Sequence, residues 1–448
     1  MQYFHPSFHE RFKFSDWVAV QAKLTELGLT LPYSEDVACL SEPVELAGWT
    51  LPNALVIQPM EGCDSDDAGR PGELTFRRYQ RFAAGGAGLI WAEATSILIA
   101  GRGNPHQLCL LPETADSFAR LVEATHAAAG DGPRPRLVAQ LQHSGRYSRP
   151  VAAPAPVIAR HCPELDATHF LPPDYPILSD AELDALPELH ASAARLAFEA
   201  GFDAVDLKAC HGYLMHELLG AHTREGRYGG SFENRTRLLL DCVAAIRAEV
   251  PGLTLCTRLN VYDALPYPWG FGMDLGGTMA PDLTEPLALL RLLAQAGVAF
   301  FNLAYGNPYY NPHVERPYDA PDKRGYLPRE HPLAGVALMC DLHRQVHEAL
   351  PALPLIASGL SWLRQFSAPV AAGMVASGQA RLAGLGRMAL AYPDFPRDLR
   401  ERGRLLPEKV CLTCSTCSGM MRAGGPSGCP VRDGGVYRPI LMRLSKQT

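Results

Sequence analysis

Residues Asp203–Arg237 read DAVDLKACHGYLMHELLGAHTREGRYGGSFENRTR, and the junction inside them decides the fold. A short apolar strand, DAVDLK, gives way at Lys208, Cys210, His211 and Tyr213 to a knot of ionisable and aromatic side chains before the apolar run LMHELL begins. Polar groups gathered where a strand hands over to a turn are the mark of an α/β barrel, whose active face lies at the carboxyl ends of its strands.

The same strand-then-helix alternation extends in both directions. Upstream lie NALVIQPM, AGLIWAE and RLVAQLQ; downstream lie LTLCTRL, VAFFNL, LPLIA and RLAGLG, which with DAVDLK make eight strands. Helical periodicity is clearest in ELDALPELHASAARLAFEAG, where Leu183, Leu186, Leu189, Ala193, Leu196 and Ala197 fall near one face and Pro187 either kinks the helix or sits in its first turn. Further helices are expected around LTFRRYQRFAAGG and at Ser117–Ala129, Phe232–Val250, Asp282–Ala296, Leu333–Leu350, Ser361–Gly378 and Pro393–Arg402. Eight such units predict a closed TIM (β/α)8 barrel over residues 48–404, rather than an open doubly wound sheet. Residues 1–47 form an N-terminal extension without assigned chemistry, covering the bottom or side of the barrel. Residues 405–448 form a short Cys-rich segment. A proline-rich insert, Arg146–Asp180, separates the third strand from its helix and is expected to loop over the active face.

The 448 residues carry 47% hydrophobic and 20% charged side chains, ordinary globular composition with material for a large core. A formal charge of −6 gives no footprint for a polyanion, so nucleic acid is not an expected partner. The opening MQYFHPSFHERFKFSDW has no uninterrupted apolar core, and no run reaches the roughly 18 apolar residues of a membrane span. A cytoplasmic protein without a membrane partner is the expectation. Of twelve cysteines, most are scattered singly, as buried thiols usually are. Cys411, Cys414, Cys417 and Cys429 instead form C-x2-C-x2-C-x11-C just past the barrel, a thiolate quartet suited to an iron–sulfur cluster or zinc, with free or disulfide-bonded thiols as the third choice.

NALVIQPMEG, GGAGLIWAEAT, VAQLQHSGR, YGGSFENRTR, TRL at Arg258, ASG at Gly359 and AGLGR at Arg387 occur in the order found in the Old Yellow Enzyme family, so the stretch from Glu42 to Arg402 resembles those flavin-dependent reductases. Its larger members, related to dienoyl-CoA reductase and trimethylamine dehydrogenase, resemble this chain most in carrying a cysteine motif after the barrel. The resemblance implies an FMN in the barrel mouth, NAD(P)H as its reductant, and a small-molecule substrate stacked on the flavin. It assigns Gln140 to the flavin pyrimidine, Arg258 to the reduced, anionic flavin, and Pro59, Met60 and Glu61 to the flavin edge. Ser358 and Gly359, with Gly386 and Arg387, match the phosphate loops after the last two strands.

In the family, His-x-x-His or His-x-x-Asn followed by Gly-Tyr holds the activating oxygen and delivers a proton. Here Lys208 stands in place of the first member, His211 matches the second, and Tyr213 matches the proton donor. Glu61 is a second departure, and Lys208 and Glu61 are expected to lie close together. The family's cluster motif, C-x2-C-x3-C-x11-C, implies a [4Fe-4S] cluster, and this chain is one residue shorter in the middle gap. Reduction of an activated C=C bond is the implied activity. An amine or C–H dehydrogenase or demethylase passing electrons through the cluster to a separate redox partner is the alternative. AYGNPYYNPHVERPYDAP, with Tyr305, Tyr309 and Tyr310 as an aromatic wall for a cation, keeps that alternative open. A non-catalytic electron-transfer or scaffolding subunit is a third reading, and a homo-oligomer is compatible with all three.

Overall fold

In the computed structural model, which describes residues 9–322 and 325–446, eight parallel strands close into a barrel. They are β1 (Leu55–Ile57), β2 (Leu89–Ser96), β3 (Arg136–Gln142), β4 (Ala204–Leu207), β5 (Thr254–Tyr262), β6 (Phe300–Tyr305), β7 (Leu355–Ala357) and β8 (Leu382–Leu385). Each pairs with its sequence neighbour, and β8 returns to β1 with Gly384 opposite Val56. All eight fall on the strands read from the sequence. Their residues are almost all buried, as strands covered by helices outside and side chains inside must be.

The barrel is filled and plugged from below. An antiparallel ribbon, Val44–Leu46 with Trp49–Leu51, straddles residue 47 and packs Leu46 and Leu51 against Val56, Leu89, Val138, Ile356 and Leu382. Phe300 receives Trp49 and Trp91 edge-on, with ring centroids 6.1 and 5.8 Å apart. Such edge-to-face pairs add about 0.5–1.5 kcal/mol beyond their buried area. With its interior closed in this way, the barrel is open to ligands only at the opposite, carboxyl end of its strands.

The helices follow the expected order, with differences that have local causes. Pro187 lies in the first turn of Leu186–Glu199, behind a separate short helix, Asp180–Asp184, capped by Ser179. The helix expected at Ser361–Gly378 is broken into a 3-10 stretch, Leu360–Phe366, and Ser367–Ala376. The break lies at Arg364, which adopts φ 52° while its guanidinium reaches Asp319 at 2.6 Å. Asp319 also accepts the indole N–H of Trp362 at 2.8 Å and the backbone N–H of Phe12 at 3.0 Å, so one carboxylate ties the N-terminal extension to the loops after β6 and β7. The extension thus covers the side of the barrel, with helix Trp17–Glu26 and an aromatic group of Phe12, Phe14 and Trp362; residues 1–8 lie outside the described residues. The Cys-rich segment contains two helices that no periodicity announced, Thr416–Arg422 and Gly434–Leu444. Among the described residues no helix is long and apolar enough to cross a membrane.

Candidate active site

A cleft opens at the carboxyl ends of the strands. Every residue expected to hold FMN or to act on substrate lies along it: Pro59, Met60 and Glu61 after β1, Gln140 on β3, Lys208, His211 and Tyr213 after β4, Arg258 on β5, Ser358 and Gly359 after β7, and Gly386 and Arg387 after β8.

The turn after β4 is held from three sides. His211 and Gly212 take consecutive positive φ values, 65° and 73°. A non-glycine residue there costs on the order of 1–3 kcal/mol and persists only where its surroundings over-determine it. Here the Gly212 N–H donates to His216 Nδ1 at 2.6 Å, and His216 Nε2 meets Asp263 at 2.6 Å. A side chain at 212 would collide with Asn307, whose Nδ2 would lie 2.4 Å from its Cβ. Behind the turn, Arg146 is fully buried between Asp166 and Glu217. The proline-rich insert, with its own helix Pro163–His169, is thereby fastened to helix Leu214–Leu219, which begins directly after Tyr213.

Tyr213 donates its phenolic hydrogen to Glu61 Oε1 at 2.8 Å. Lys208 Nζ lies 3.4 Å from the same oxygen and 3.6 Å above the centroid of the Tyr213 ring. The expected proximity of Lys208 and Glu61 is therefore present. Burial, with the charge of Glu61 and the neighbouring Tyr309, drives the Tyr213 hydroxyl well above its ordinary range, so it is held protonated. The aromatic wall differs from the one read in the sequence. Tyr305 is buried on β6 and Tyr310 faces a separate cavity; only Tyr309 reaches the cleft, stacked on Tyr147 at 3.8 Å. Tyr147 comes from a different loop, which is why a run of neighbouring tyrosines misled.

His211 Nε2 lies 3.0 Å from Glu315 Oε1. Burial outweighs that carboxylate and pulls His211 down to about 3, while the imidazole and nearby Arg316 and Arg258 hold Glu315 down at about 2 against its own burial. The pair is a neutral imidazole beside an ionised carboxylate. Both groups expected to hold a substrate oxygen thus already face a carboxylate, Lys208 that of Glu61 and His211 that of Glu315.

Asp206, which the sequence reading passed over, orients Gln140 and the backbone at Arg258. Fully buried on β4, it accepts hydrogen bonds from Gln140 Nε2 at 2.6 Å, Trp91 Nε1 at 2.8 Å and the backbone N–H of Arg258 at 2.7 Å. One amide N–H of Gln140 given to Asp206 fixes which way the amide points, leaving its second N–H and its carbonyl for a ligand. Burial raises Asp206 to about 6, with the three donors pulling the other way. The only signal in the sequence was an aspartate at an inward-facing strand position.

The phosphate end tests whether FMN fits. Arg387 is buried, gives Nη2 to the Pro317 carbonyl at 2.9 Å, and has no hydrogen-bond partner for Nη1 among the described residues. Burial lowers its pKa, and Arg316 adds repulsion. A desolvated guanidinium with a spare donor calls for an anion. It stands at Gly386 and across from Gly359, whose φ of 85° would strain any other residue. Arg258 Nε is likewise buried without a partner. These residues fit a phosphate and a flavin ring with their present side chains.

Beneath Glu61, the loop is clamped. A register shift in β2 between Trp91 and Ala94 re-aims Glu93. Its carboxylate accepts the Gly62 N–H at 2.6 Å and Arg78 Nη2 at 2.5 Å, while Arg78 also grips Asp64 at 2.6 Å. From the other side, the Ser427 N–H donates to the Gly62 carbonyl at 2.6 Å. The Cys-rich segment therefore forms a wall of the cleft, contributing Cys417, Ser418, Met421, Arg422 and Ser427. It is anchored by Arg316 on Ser418 at 2.6 Å, Arg422 on Asp322 at 2.6 Å, and Arg77 and Arg81 on Asp433 at 2.6 Å each.

In that segment Cys411 and Cys429 receive backbone N–H groups, from Thr413 and Arg432, each at 3.3 Å from sulfur. Burial pushes Cys411 up to about 12; Arg387 opposes this, and Cys417 and Cys429 add to it. Burial also raises Cys429, with Cys417 and Cys414 adding to it. N–H···S bonds of this kind are what cluster-ligating thiolates accept. Among the described residues no three His, Cys, Asp or Glu side chains are grouped as ligands of a metal ion. The donor set fits a cluster in kind, without being gathered into a ligand shell.

The profile of the NADH:flavin oxidoreductase / NADH oxidase family matches residues 39–270, over half of the chain. The chain belongs to that family. The Old Yellow Enzyme resemblance read from the motifs is borne out, and the matched span carries the site from Glu61 through Arg258. Among family relatives, 12-oxophytodienoate reductase 7 of Oryza sativa subsp. japonica is 31% identical over 258 residues, covering 53% of this chain and 64% of the reductase. The NADH-dependent flavin oxidoreductase iliE of Hypocrea jecorina is 28% identical over 383 residues, covering 80% of this chain and 88% of iliE. The match with iliE of Neonectria sp. covers 46% of that longer protein, so this chain spans less than two thirds of some relatives. A 2-naphthoyl-CoA reductase in complex with 2-naphthoyl-CoA superposes with TM-score 0.69 at 21% identity, over 88% of this chain and 57% of that one. The Old Yellow Enzyme homologue of Zymomonas mobilis superposes with TM-score 0.60 at 22% identity, over 82% and 94%. At these identities the superpositions speak to the barrel alone.

Proposed function

We propose that the protein is an FMN-dependent oxidoreductase that reduces an activated C=C bond. Bound FMN, reduced by NADH or NADPH, would supply the hydride. Gln140, oriented by Asp206, and Arg258 would hold the flavin ring, while the backbone at Ser358, Gly359 and Gly386 with Arg387 would hold the phosphate. Pro59, Met60 and Glu61 would line the ring's edge. Tyr213 would donate a proton to the carbon opposite the hydride. Lys208, backed by Glu61, would present its remaining N–H groups to the activating oxygen, and His211 would join it when its single N–H turns from Glu315 to that oxygen. The observation that carries this reading is the buried, unpartnered Nη1 of Arg387 at the glycine turns, in the same cleft as Tyr213.

Stopped-flow measurement of both half-reactions tests it: anaerobic flavin bleaching by NADH or NADPH, then mixing with enones and amines. Tyr213→Phe should slow the enone step by roughly 100-fold or more, the usual worth of a positioned general acid, with flavin reduction little changed. Equal slowing of both steps would remove Tyr213 from the proton-donor role.

A second reading is oxidation of an amine or C–H bond, with electrons leaving through a [4Fe-4S] cluster on Cys411, Cys414, Cys417 and Cys429 to a separate redox protein. It is favoured by the place of Cys417 in the wall of the cleft. Anaerobic iron and sulfide analysis tests it; a protein without iron that still reduces enones would exclude it.

A further inference from the structure

If Tyr213 gives up a proton in ene-reduction, it must recover one, and it is only 1% exposed. Among the described residues, three ionisable side chains approach it. Lys208, with 2% of its side chain exposed, lies over the ring face at 3.6 Å rather than in line with the hydroxyl, so it offers charge and not a proton path. Tyr309 comes within 3.3 Å through its own hydroxyl. Tyr309 is 39% exposed, but its contact is 0.5 Å longer than the one from Tyr213 to Glu61 and offers a second phenol rather than a carboxylate. Glu61 accepts the Tyr213 hydrogen bond directly at 2.8 Å, and 19% of its side chain is exposed. Of the three it makes the shortest contact with the phenolic oxygen, and does so through a carboxylate partly open to solvent, the kind of group that takes up and passes on a proton.

We propose that Glu61 is the proton-exchange partner of Tyr213, relaying a solvent proton to its phenolic oxygen, with Lys208 as the residue that positions the carboxylate. The proposal rests on the ene-reduction reading. As the new C–H bond forms, the Tyr213 O–H bond breaks and leaves a phenolate. A solvent proton taken up by the Glu61 carboxylate passes along the 2.8 Å hydrogen bond and re-forms the O–H. Both side chains end unchanged, and the proton delivered to product comes from solvent. Lys208 steadies the phenolate from above, while the charge of Glu61, which disfavours a phenolate beside it, drives the proton back onto the phenolic oxygen. The clamp of Glu93, Arg78 and Ser427 on Gly62 fixes the loop from which Glu61 projects.

The test uses FMN-loaded protein with tyrosine labelled by ¹³C at Cζ, the Tyr213 resonance being the one lost in Tyr213→Phe. In Glu61→Gln this resonance should move, and the phenol should ionise at a pH lower by about one unit or more, because the neighbouring negative charge is gone. Steady-state turnover with NADH and 2-cyclohexen-1-one should be slowed about 10- to 100-fold in Glu61→Gln, because each cycle after the first needs Tyr213 reprotonated. Glu61→Asp should recover part of that rate, and Glu61→Gln combined with Tyr213→Phe should be no slower than Tyr213→Phe alone. An unmoved Tyr213 resonance, a Glu61→Gln rate within threefold of the parent, or multiplying effects in the double variant would overturn the Glu61 role and leave ene-reduction standing. A parent enzyme that no enone reoxidises would remove ene-reduction and the relay together.

Discussion

Arg387→Met should separate flavin affinity from the stability of the flavin-free protein. In the present arrangement Arg387 makes one good hydrogen bond, to Pro317, and keeps Nη1 unpartnered in a buried site shared with Arg316. Removing the side chain forfeits that bond, worth about 1 kcal/mol. It also removes a desolvated charge whose burial costs on the order of several kcal/mol, so the flavin-free protein should melt no lower than the parent. FMN binding should move the other way. A charge-assisted bond from Nη1 to phosphate contributes about 1.5–3 kcal/mol, and each ~1.4 kcal/mol is tenfold in Kd. The loss is therefore roughly 10- to 150-fold. Quenching of flavin fluorescence, titrated with deflavinated protein, measures the first quantity, and melting with and without FMN measures the second. Arg387→Met protein that binds FMN within threefold of the parent would refute the assignment of this end of the cleft to a phosphate.

Other perturbations address the frame around the site. Arg78→Met leaves Asp64 and Glu93 buried without their counter-ion and should destabilise the protein by about 3–5 kcal/mol in urea unfolding. Gly384→Ala would bring a Cβ within 2.0 Å of Gln58 Nε2, where Gln58 and Asn302 exchange hydrogen bonds inside the barrel; a loss of about 1–3 kcal/mol in the same assay is expected. For Asp206, the folded-state pKa of about 6 lies above the unfolded value. Its contribution to stability is then full below about pH 4 and lost as pH rises through about 6, some 3 kcal/mol in all. Asp206→Asn should therefore show its largest deficit near pH 4 and a smaller one at pH 7; a deficit constant across that window would contradict the raised pKa.

The barrel was legible because each strand is a short apolar run between helical patterns, and strand ends carry chemistry wherever this fold does. Gln140, Lys208, Arg258 and Arg387 could be found from their positions at such ends. What escaped reading depends on contacts between distant loops. Glu315 lies in PHVE, a single turn of helix with no periodicity to mark it, and gains meaning only by reaching His211. Tyr147 faces Tyr309 from 162 residues away in the chain. The break at Arg364 comes from Asp319, in another loop, outcompeting a helical pattern that is locally sound. Glu61 and Lys208 were visible as departures, but that they converge on the Tyr213 hydroxyl and ring required coordinates.

The bond from the Ser427 N–H to the Gly62 carbonyl bears on how members of this family can be recombined. A splice at residue 404, where the barrel pattern ends, looks like a natural seam. A chimera joined there would take the floor of the cleft, including Glu61, from one parent and the facing wall, including Cys417 and Arg422, from the other. Tail exchange would then alter substrate selection as well as any redox wiring, and productive hybrids should be those that carry the residue 60–64 loop, Arg77 and Arg81 along with the tail that docks on them.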